Sequence, residues 1–379
     1  MFPGVNVNVT NGNLLAAIPV LDAVPALIVT VNTSSLVAAL KEVYSLEDAE
    51  SKGFTLEDEP FAHDLLDKYY TELAGKQRLF VFGISDEMTM ASALSMNEAN
   101  GITKMLREGR GEINLVAIAR KPDEDYTPGT AFLDSDVEAA VTASKAVAVA
   151  MQNANTPIRI LIEGRVADAS KTNSYSPKDA ANGYAGVVLG GTSNDGSAAV
   201  TIALARACKY GAHVKLGNGS NGPLSVPQIY IGTGKLEDRV DMETLHDAGF
   251  ITFHHRPGTS GYFFGVDNMC SKDDFKILVH GRIIDKAHRV AVEAYQPYVE
   301  DGIKMEADGT INATEAKDIE GTLLQALRAA MGDQVSDIKV NVPLDQDVVN
   351  TSELAVELKV LPLGYLTWIT VTLGLAAKL

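Results

Sequence analysis

The stretch Ala26-Leu27-Ile28-Val29-Thr30-Val31 points to the fold class, because an unbroken run of apolar and β-branched residues predicts a strand that is buried on both faces. Comparable runs recur along the chain, at residues 78–83, 114–119, 158–163 and 185–190. Predicted helices separate them, at residues 54–75, from about 88, at 134–153 and at 197–210, and Thr33-Ser34-Ser35 is expected to cap a further short helix. This alternation predicts a parallel sheet covered on both faces, in an open α/β domain over residues 26–265.

The pattern changes from Ser271 onward. Lys272-Asp273-Asp274 is expected to cap a long helix that continues to about Ala294, and a second helix is predicted from about Ala313 to Met331. Two strands follow, at residues 335–342 and 354–360. This segment is therefore predicted to be a small α+β unit.

The two ends of the chain carry no charged side chains over their strand-like parts. No Asp, Glu, Lys or Arg precedes Asp22, and residues 5–10 read Val-Asn-Val-Asn-Val-Thr. Residues 365–373, Tyr-Leu-Thr-Trp-Ile-Thr-Val-Thr-Leu, show the same alternation. Edge strands are normally protected by charge, proline or brevity. Either both ends pair within their own domain, or each adds a strand to another subunit.

Composition narrows the function classes. The chain has 379 residues, a formal net charge of −17 and 46% hydrophobic residues. Such an acidic balance argues against a nucleic-acid groove, which needs concentrated Lys and Arg. No secretory signal and no run of membrane-spanning length is recognisable. Cys208 and Cys270 are the only cysteines, which fits a reducing compartment without a disulfide framework, so a folded intracellular protein is expected.

The segment Gly190-Gly191-Thr192-Ser193-Asn194-Asp195-Gly196-Ser197 lies between a predicted strand and a predicted helix, where amides can bind a phosphate. A P-loop requires Lys and then Ser or Thr after its last glycine, whereas Ser197-Ala198 follow Gly196. An ordinary βα loop is the favoured interpretation, and no nucleotide is expected.

Other candidate sites also favour structural interpretations. His254 and His255 are adjacent on a predicted strand, so their side chains point to opposite faces and do not converge on one metal ion. No nucleophile–base arrangement can be argued from the sequence. The chain is therefore predicted to have no catalytic, cofactor or metal site.

One stretch resembles a known family. Residues 249–267, Gly-Phe-Ile-Thr-Phe-His-His-Arg-Pro-Gly-Thr-Ser-Gly-Tyr-Phe-Phe-Gly-Val-Asp, resemble the passage of contractile tail sheath proteins in which a "G-x-x-T" strand meets a "G-x-Y-F" strand. Residues 271–276 and 282–287 then resemble that family's "D-D-F…R-x-I-D-x-A" helix, and residues 40–53 its "S-x-x-E-A-x-x-x-G" element. The chain lacks the large middle insertions of many phage sheaths, so it resembles a compact member.

The resemblance implies an open α/β middle domain and a small α+β C-terminal sheath domain, with extended N- and C-terminal strand arms. The expected boundaries are an N-terminal arm at 1–21, the α/β domain at 22–265, the C-terminal domain at 266–360 and a C-terminal arm at 361–379. The arms would exchange strands between neighbouring subunits. The residues expected to carry this assembly are Val5, Val7, Val9, Leu366, Trp368, Ile369, Val371 and Leu373.

By the same resemblance, the chain is expected to be a non-enzymatic subunit that polymerises as helical rings around an inner tube and contracts without ATP. Its expected partners are further copies of itself, the tube protein, and baseplate and tail terminator proteins, with no nucleic acid and no membrane insertion. Assembly in the bacterial cytoplasm into a virion tail or injection particle is expected. Two rivals remain open: a nucleotide-binding α/β enzyme, and a terminator or cap that does not polymerise.

Arg282, Lys286 and Arg289 lie three and four residues apart, so they share one face of the predicted helix. One interpretation is a solvated face with intrahelical pairs to Asp285 and Glu293. The other, which rests on the resemblance, is a weak charged contact with the inner tube.

Overall fold

The computed structural model describes residues 21–367 and 369–371, and it shows a mixed α/β chain. The strands in this part are β1 (Pro25–Thr30), β2 (Leu40–Val43), β3 (Leu79–Ile84), β4 (Leu115–Ala119), β5 (Arg159–Glu163), β6 (Ala185–Val188), β7 (Tyr230–Ile231), β8 (Gly234–Lys235), β9 (Phe253–His254), β10 (Phe263–Phe264), β11 (Val335–Asn341) and β12 (Glu357–Pro362). The helices are α1 (Leu46–Ser51), α2 (Pro60–Leu73), α3 (Met90–Ala93), α4 (Ile102–Glu108), α5 (Ser135–Asn153), α6 (Val200–Lys209), α7 (Met242–Ala248), α8 (Leu278–Tyr295), α9 (Ala313–Met331) and α10 (Val348–Thr351).

The main sheet has the strand order β2-β3-β1-β4-β5-β6. Strands β3, β1, β4, β5 and β6 are mutually parallel, and β2 pairs antiparallel with β3 at one edge. Every residue of β1, β3, β4 and β5 is buried. The parallel sheet predicted from the apolar runs is therefore present, with one antiparallel edge strand in addition.

Alternate residues of β1 enter two separate cores. Leu27 and Val29 pack in a core that includes side chains of α2 and α6, whereas Ala26 and Ile28 pack in one that includes α3, α4 and α5. Because side chains alternate across a strand, a strand between two helical layers is mostly apolar along its length, and its few polar side chains, such as Thr30, are hydrogen-bonded. This is the physical reason for the unbroken apolar run at residues 26–31.

Three predicted helices of this domain differ in the structure. The helix predicted after Thr33-Ser34-Ser35 is absent, because residues 37–43 run beside β3 through a bridge at Val37 and then through β2. The helix predicted from residue 54 begins at Pro60, where proline occupies the first turn. The helix predicted from about residue 88 is divided into α3 and α4.

The C-terminal unit packs two helices against a hairpin. Strands β11 and β12 pair antiparallel, with Ile338 opposite Val360 and Val340 opposite Leu358. Ile338 and Val340 share a core with Ile283 of α8 and with other side chains of α8 and α9. The two helices and two strands follow in the predicted order, and the short helix α10 between β11 and β12 was not predicted.

One prediction for this unit was inaccurate, and a second concerns the segment after it. Helix α8 begins at Leu278, later than expected, and Asp273 instead accepts a hydrogen bond from the amide of Phe275 (2.8 Å) in the preceding turn. No strand forms over residues 363–367 and 369–371, although residues 365–373 have a strand pattern. The alternating pattern at the C-terminus therefore has no partner strand among the described residues.

Candidate assembly interface

The hairpin β11–β12 offers two open strand edges. Within residues 21–367 and 369–371 it is a sheet of two strands, so one edge of each strand carries no strand partner. Its inner face is covered by α8 and α9, while Lys339 and Lys359 lie directly opposite each other and are exposed on the outer face. Open edges with a covered face are the geometry that accepts an added strand.

The segment after β12 exposes its apolar side chains. The exposed fractions are 85% for Leu366, 75% for Ile369 and 70% for Val371. Isolated exposed apolar residues are ordinary, but three within six residues of a segment without secondary structure are a local concentration. Of the predicted assembly residues, these three are therefore accessible in the subunit. Val5, Val7, Val9, Trp368 and Leu373 lie outside the described residues.

Tyr365 holds the start of that segment against the α/β domain. Its hydroxyl donates a hydrogen bond to the carbonyl oxygen of His213 (2.7 Å), and the Lys215 ammonium lies 5.6 Å from the centroid of its ring. Burial raises the pKa of Tyr365 to about 12, so the hydroxyl keeps its proton for this bond. The sequence alone assigned Tyr365 only to the terminal strand, and no local pattern indicated this contact.

A cleft of about 810 Å³ lies between this segment and the α/β domain, with several lysines on its walls. Three of them already have acceptors within the chain: Lys178 donates to the Asp247 carbonyl oxygen, Lys272 pairs with Asp179, and Lys215 lies 3.6 Å from Asp267. The cleft therefore carries less uncompensated positive charge than its lysines alone would indicate.

The cations of α8 do not form an exposed face, which corrects both interpretations of Arg282, Lys286 and Arg289. Arg282 and Lys286 are 5% and 7% exposed, and the Lys286 ammonium bonds to the Asp22 carboxylate (2.5 Å). Burial lowers the pKa of Arg282, as expected for a guanidinium removed from water. A solvated face and a tube contact both need accessible charges, and this face of α8 is covered by the rest of the subunit.

Arg289 shows the same orientation. Its guanidinium donates to the carbonyl oxygens of Gly111 (2.7 Å), Ile113 (3.0 Å) and Pro157 (3.0 Å), which belong to loops of the α/β domain. Spacing in the sequence correctly placed the three cations on one face, but it did not show what that face contacts. Asp285 likewise pairs with Arg159 of β5 and not with its own helix.

The loop 190–197 turns at Gly190 and Gly196, which have φ of +107° and +85°. The amide of Ala198, just after this loop, donates to Oε1 of Glu163 (3.1 Å), and the amide of Arg120 donates to its Oε2 (2.7 Å). The amide that follows this loop is therefore already bonded to a carboxylate of the chain itself. Burial raises the pKa of Glu163.

His254 and His255 have separate environments: the ring centroid of His254, at the end of β9, lies 6.3 Å from that of Phe263, whereas His255 contacts other groups. The Nε2 of His255 lies 2.9 Å from Oε1 of Glu237, and its Nδ1 lies 2.9 Å from the Gly261 carbonyl oxygen. Among the residues that the structure describes, no group of three or more His, Cys, Asp or Glu side chains could hold a metal ion. In the same residues, no helix has the length and apolar character needed to cross a membrane.

Solved structures similar to this chain include contractile sheath proteins. A chain of the helical sheath of the anti-feeding prophage in the contracted state is 16% identical, with 99% of both chains covered and a TM-score of 0.65. A chain of the PVC sheath complex, from an extracellular contractile injection system, is 10% identical over 100% of this chain and 98% of that chain, with a TM-score of 0.63. The sheath tail protein of Desulfitobacterium hafniense is 11% identical over 95% and 100%, with a TM-score of 0.54.

Family profiles cover nearly the whole chain. The profile of the DUF2586 N-terminal domain matches residues 2–268, and that of the DUF2586 C-terminal domain matches residues 274–379. No curated protein sequence matches the chain. The resemblance to sheath proteins drawn from residues 249–287 is confirmed at the level of the fold. The chain therefore belongs to the DUF2586 family, and its fold is that of contractile tail sheath proteins.

Proposed function

We propose that this chain is the sheath subunit of a contractile tail or injection machine. It polymerises as helical rings around an inner tube and contracts to drive the tube into a target cell envelope. The observation that carries the proposal is the agreement of the fold over 99% of both chains with the helical sheath of the anti-feeding prophage. A likeness over the full length includes the C-terminal domain and the strand hairpin.

The proposed assembly uses both ends of the chain as donated strands. Val5, Val7 and Val9 belong to the N-terminal arm. The C-terminal arm contributes Leu366, Trp368, Ile369, Val371 and Leu373. The exposed apolar side chains of this second arm and the open edges of β11 and β12 support the proposal. Each arm would add roughly five backbone hydrogen bonds of about 0.5–1.5 kcal/mol net each.

The proposed partners are other copies of this chain, the inner tube protein, and baseplate and tail terminator proteins. Nucleic acid and membrane insertion have no part in this function, and assembly takes place in the bacterial cytoplasm before the virion tail or injection particle acts. Because the charged groups of Arg282, Lys286 and Arg289 bond within the subunit, a tube contact uses other residues of the C-terminal domain. Contraction releases free energy stored at assembly, so the sheath needs no ATP site.

Electron microscopy of the purified full chain tests this function. Rings or tubes of regular width are the expected result. A small oligomer that binds a nucleotide would favour the enzyme rival, and a single ring that never extends would favour the terminator rival. The matched control is a chain that ends at Thr367, imaged in the same way. It lacks most of the C-terminal arm but keeps the hydrogen bond from the Tyr365 hydroxyl to the His213 carbonyl oxygen.

A further inference from the structure

Asp22 stands at the start of the described chain and is held by the C-terminal domain. Its Oδ1 accepts a hydrogen bond from the ammonium of Lys286 on α8 (2.5 Å), and both of its carboxylate oxygens lie 3.1 Å from Nε2 of Gln334. Lys286 also donates to Oε1 of Gln334 (3.3 Å). Lys286 and Gln334 are buried. These three side chains, from distant parts of the sequence, form a closed polar cluster.

The cluster joins two places that the proposed function uses. Asp22 follows the N-terminal arm, and the carbonyl oxygen of its neighbour Leu21 accepts a hydrogen bond from the Asn114 side chain (3.2 Å). Gln334 immediately precedes Val335, where the hairpin strand β11 begins. The point at which the N-terminal arm joins the subunit is therefore bonded to the residue just before the hairpin that would receive arms from neighbouring subunits.

We propose that Asp22, Lys286 and Gln334 are positioning residues that fix the donated N-terminal arm relative to the subunit's own receiving hairpin. This inference rests on the proposed sheath function. In a helical polymer held by strand exchange, the vector from the donated strand to the receiving sheet is repeated at every subunit. If the point where the arm leaves the subunit is loosely held, each subunit is added with a slightly different orientation, and these differences accumulate along the polymer. The cluster therefore controls the regularity of the helix and not the ability to exchange strands.

Asp22 can be altered with little change in shape. Asp22→Asn removes the anion and leaves the buried Lys286 ammonium without an opposite charge, so subunit stability falls. Adding Lys286→Met removes that unpaired charge and recovers stability, yet both bonds of the Lys286 ammonium, to residue 22 and to Gln334, stay lost. Gln334→Met removes the bonds of Gln334 to Asp22 and Lys286 without leaving a charge unpaired. The control is Lys304→Gln, because Lys304 pairs with Glu315 at an exposed site of the same domain (3.6 Å).

The readouts are thermal unfolding of the subunit and cryo-electron microscopy of its polymers. We expect the double variant and Gln334→Met to polymerise but to lose the high-order layer lines, whereas Lys304→Gln keeps them. Layer lines like those of the unmodified protein in either of the first two variants would overturn the inference, because the cluster would then serve folding alone. If the unmodified chain forms no helical polymer, the proposed function itself fails, and the inference fails with it.

Discussion

The guanidinium of Arg159 and the carboxylate of Asp285 form a double hydrogen bond across the junction of the two domains. Nε lies 2.7 Å from Oδ2 and Nη2 lies 2.7 Å from Oδ1, and both side chains are buried. A Cβ at Gly281, one turn earlier in α8, would lie 2.6 Å from that same Nε. Glycine at this position therefore lets α8 approach β5 closely enough for the pair to form.

The first prediction concerns this ion pair. Asp285→Asn leaves the Arg159 guanidinium buried with no opposite charge, and breaking a buried pair in this way costs about 3–5 kcal/mol of unfolding free energy. Denaturant-induced unfolding of the subunit measures the loss. Lys272→Gln, which removes an exposed pair with Asp179, should leave the unfolding free energy almost unchanged, because water screens that pair. Equal losses of unfolding free energy in the two variants would show that the buried pair contributes no more to stability than the exposed one.

The sequence predicted the sheet better than it predicted the junction between the domains. The apolar run at residues 26–31 was sufficient because burial on both faces imposes a local composition. Helix α8 was also found, and its cations were placed on one face. The partners of Arg282, Lys286 and Arg289 are far away in the sequence, as Asp22 and Gly111 are, so no local periodicity could show that this face is covered.

Contacts of single residues were missed for the same reason. Tyr365 is anchored by a carbonyl oxygen of residue 213, and Asp22 by side chains of residues 286 and 334. Every residue has a backbone carbonyl oxygen, so the sequence does not indicate which one accepts a hydrogen bond. The sequence also does not distinguish an exposed aspartate from one that bonds to buried side chains. The strand β2 was missed because its pairing with β3 depends on a chain reversal after residue 30 and not on a strong strand composition.

The second prediction is a pH dependence centred on His255 and Glu237. The hydrogen bond with Glu237 raises the pKa of His255 above its ordinary 6.5. Burial alone would raise the pKa of Glu237, but hydrogen bonds from Tyr262 and His255 prevail and lower it to about 2. The His255 contribution to stability is complete below 6.5 and is lost as pH rises through the raised pKa. The Glu237 contribution is complete above 4.5 and is lost as pH falls toward about 2.

Stability from this pair is therefore greatest between about pH 4.5 and 6.5. Both side chains are partly exposed, so solvent screening keeps the effect small. The melting temperature, measured from pH 5 to pH 8, should decline less in His255→Gln than in the unmodified protein. A decline of the same size in both would assign the pH dependence to other groups.

The third prediction concerns nucleotides. The Glu163 carboxylate accepts the amide of Ala198 beside the glycine loop 190–197, and the loop has no P-loop lysine. Isothermal titration of ATP or GTP into the full chain should therefore give no heat of binding. Micromolar affinity would support the enzyme rival. Glu163→Gln, which keeps an acceptor oxygen without the charge, then tests whether that carboxylate excludes phosphate from the loop.

The fourth prediction concerns the faces of the arms. Val7 and Asn8 are neighbours in an alternating stretch, so in a strand their side chains point to opposite faces. Val7→Lys should place a charge in the apolar interface and prevent polymerisation, because burying an ammonium without a partner costs more than burying an unpaired neutral polar group. Asn8→Lys should assemble normally. In the C-terminal arm, Val371→Lys and Thr370→Lys form the equivalent pair, and sedimentation measures the polymer fraction of all four. Equal polymer fractions within a pair would refute the face assignment.

The last prediction separates folding from assembly. The described core contains neither arm, since the main sheet, the helical layers and the hairpin all lie between Pro25 and Pro362. A chain without residues 1–15, or one that ends at Thr367, should therefore unfold at nearly the temperature of the full chain and remain soluble. Strand donation would be lost, so neither variant should form tubes in electron micrographs, and mixing either with the full chain should shorten the tubes that form.

The choice of Thr367 as the end point is the control. That variant keeps the hydrogen bond from the Tyr365 hydroxyl to the His213 carbonyl oxygen, so a failure to polymerise cannot be attributed to loss of this contact. Normal tubes from either truncated chain would show that the missing arm is not the link between subunits.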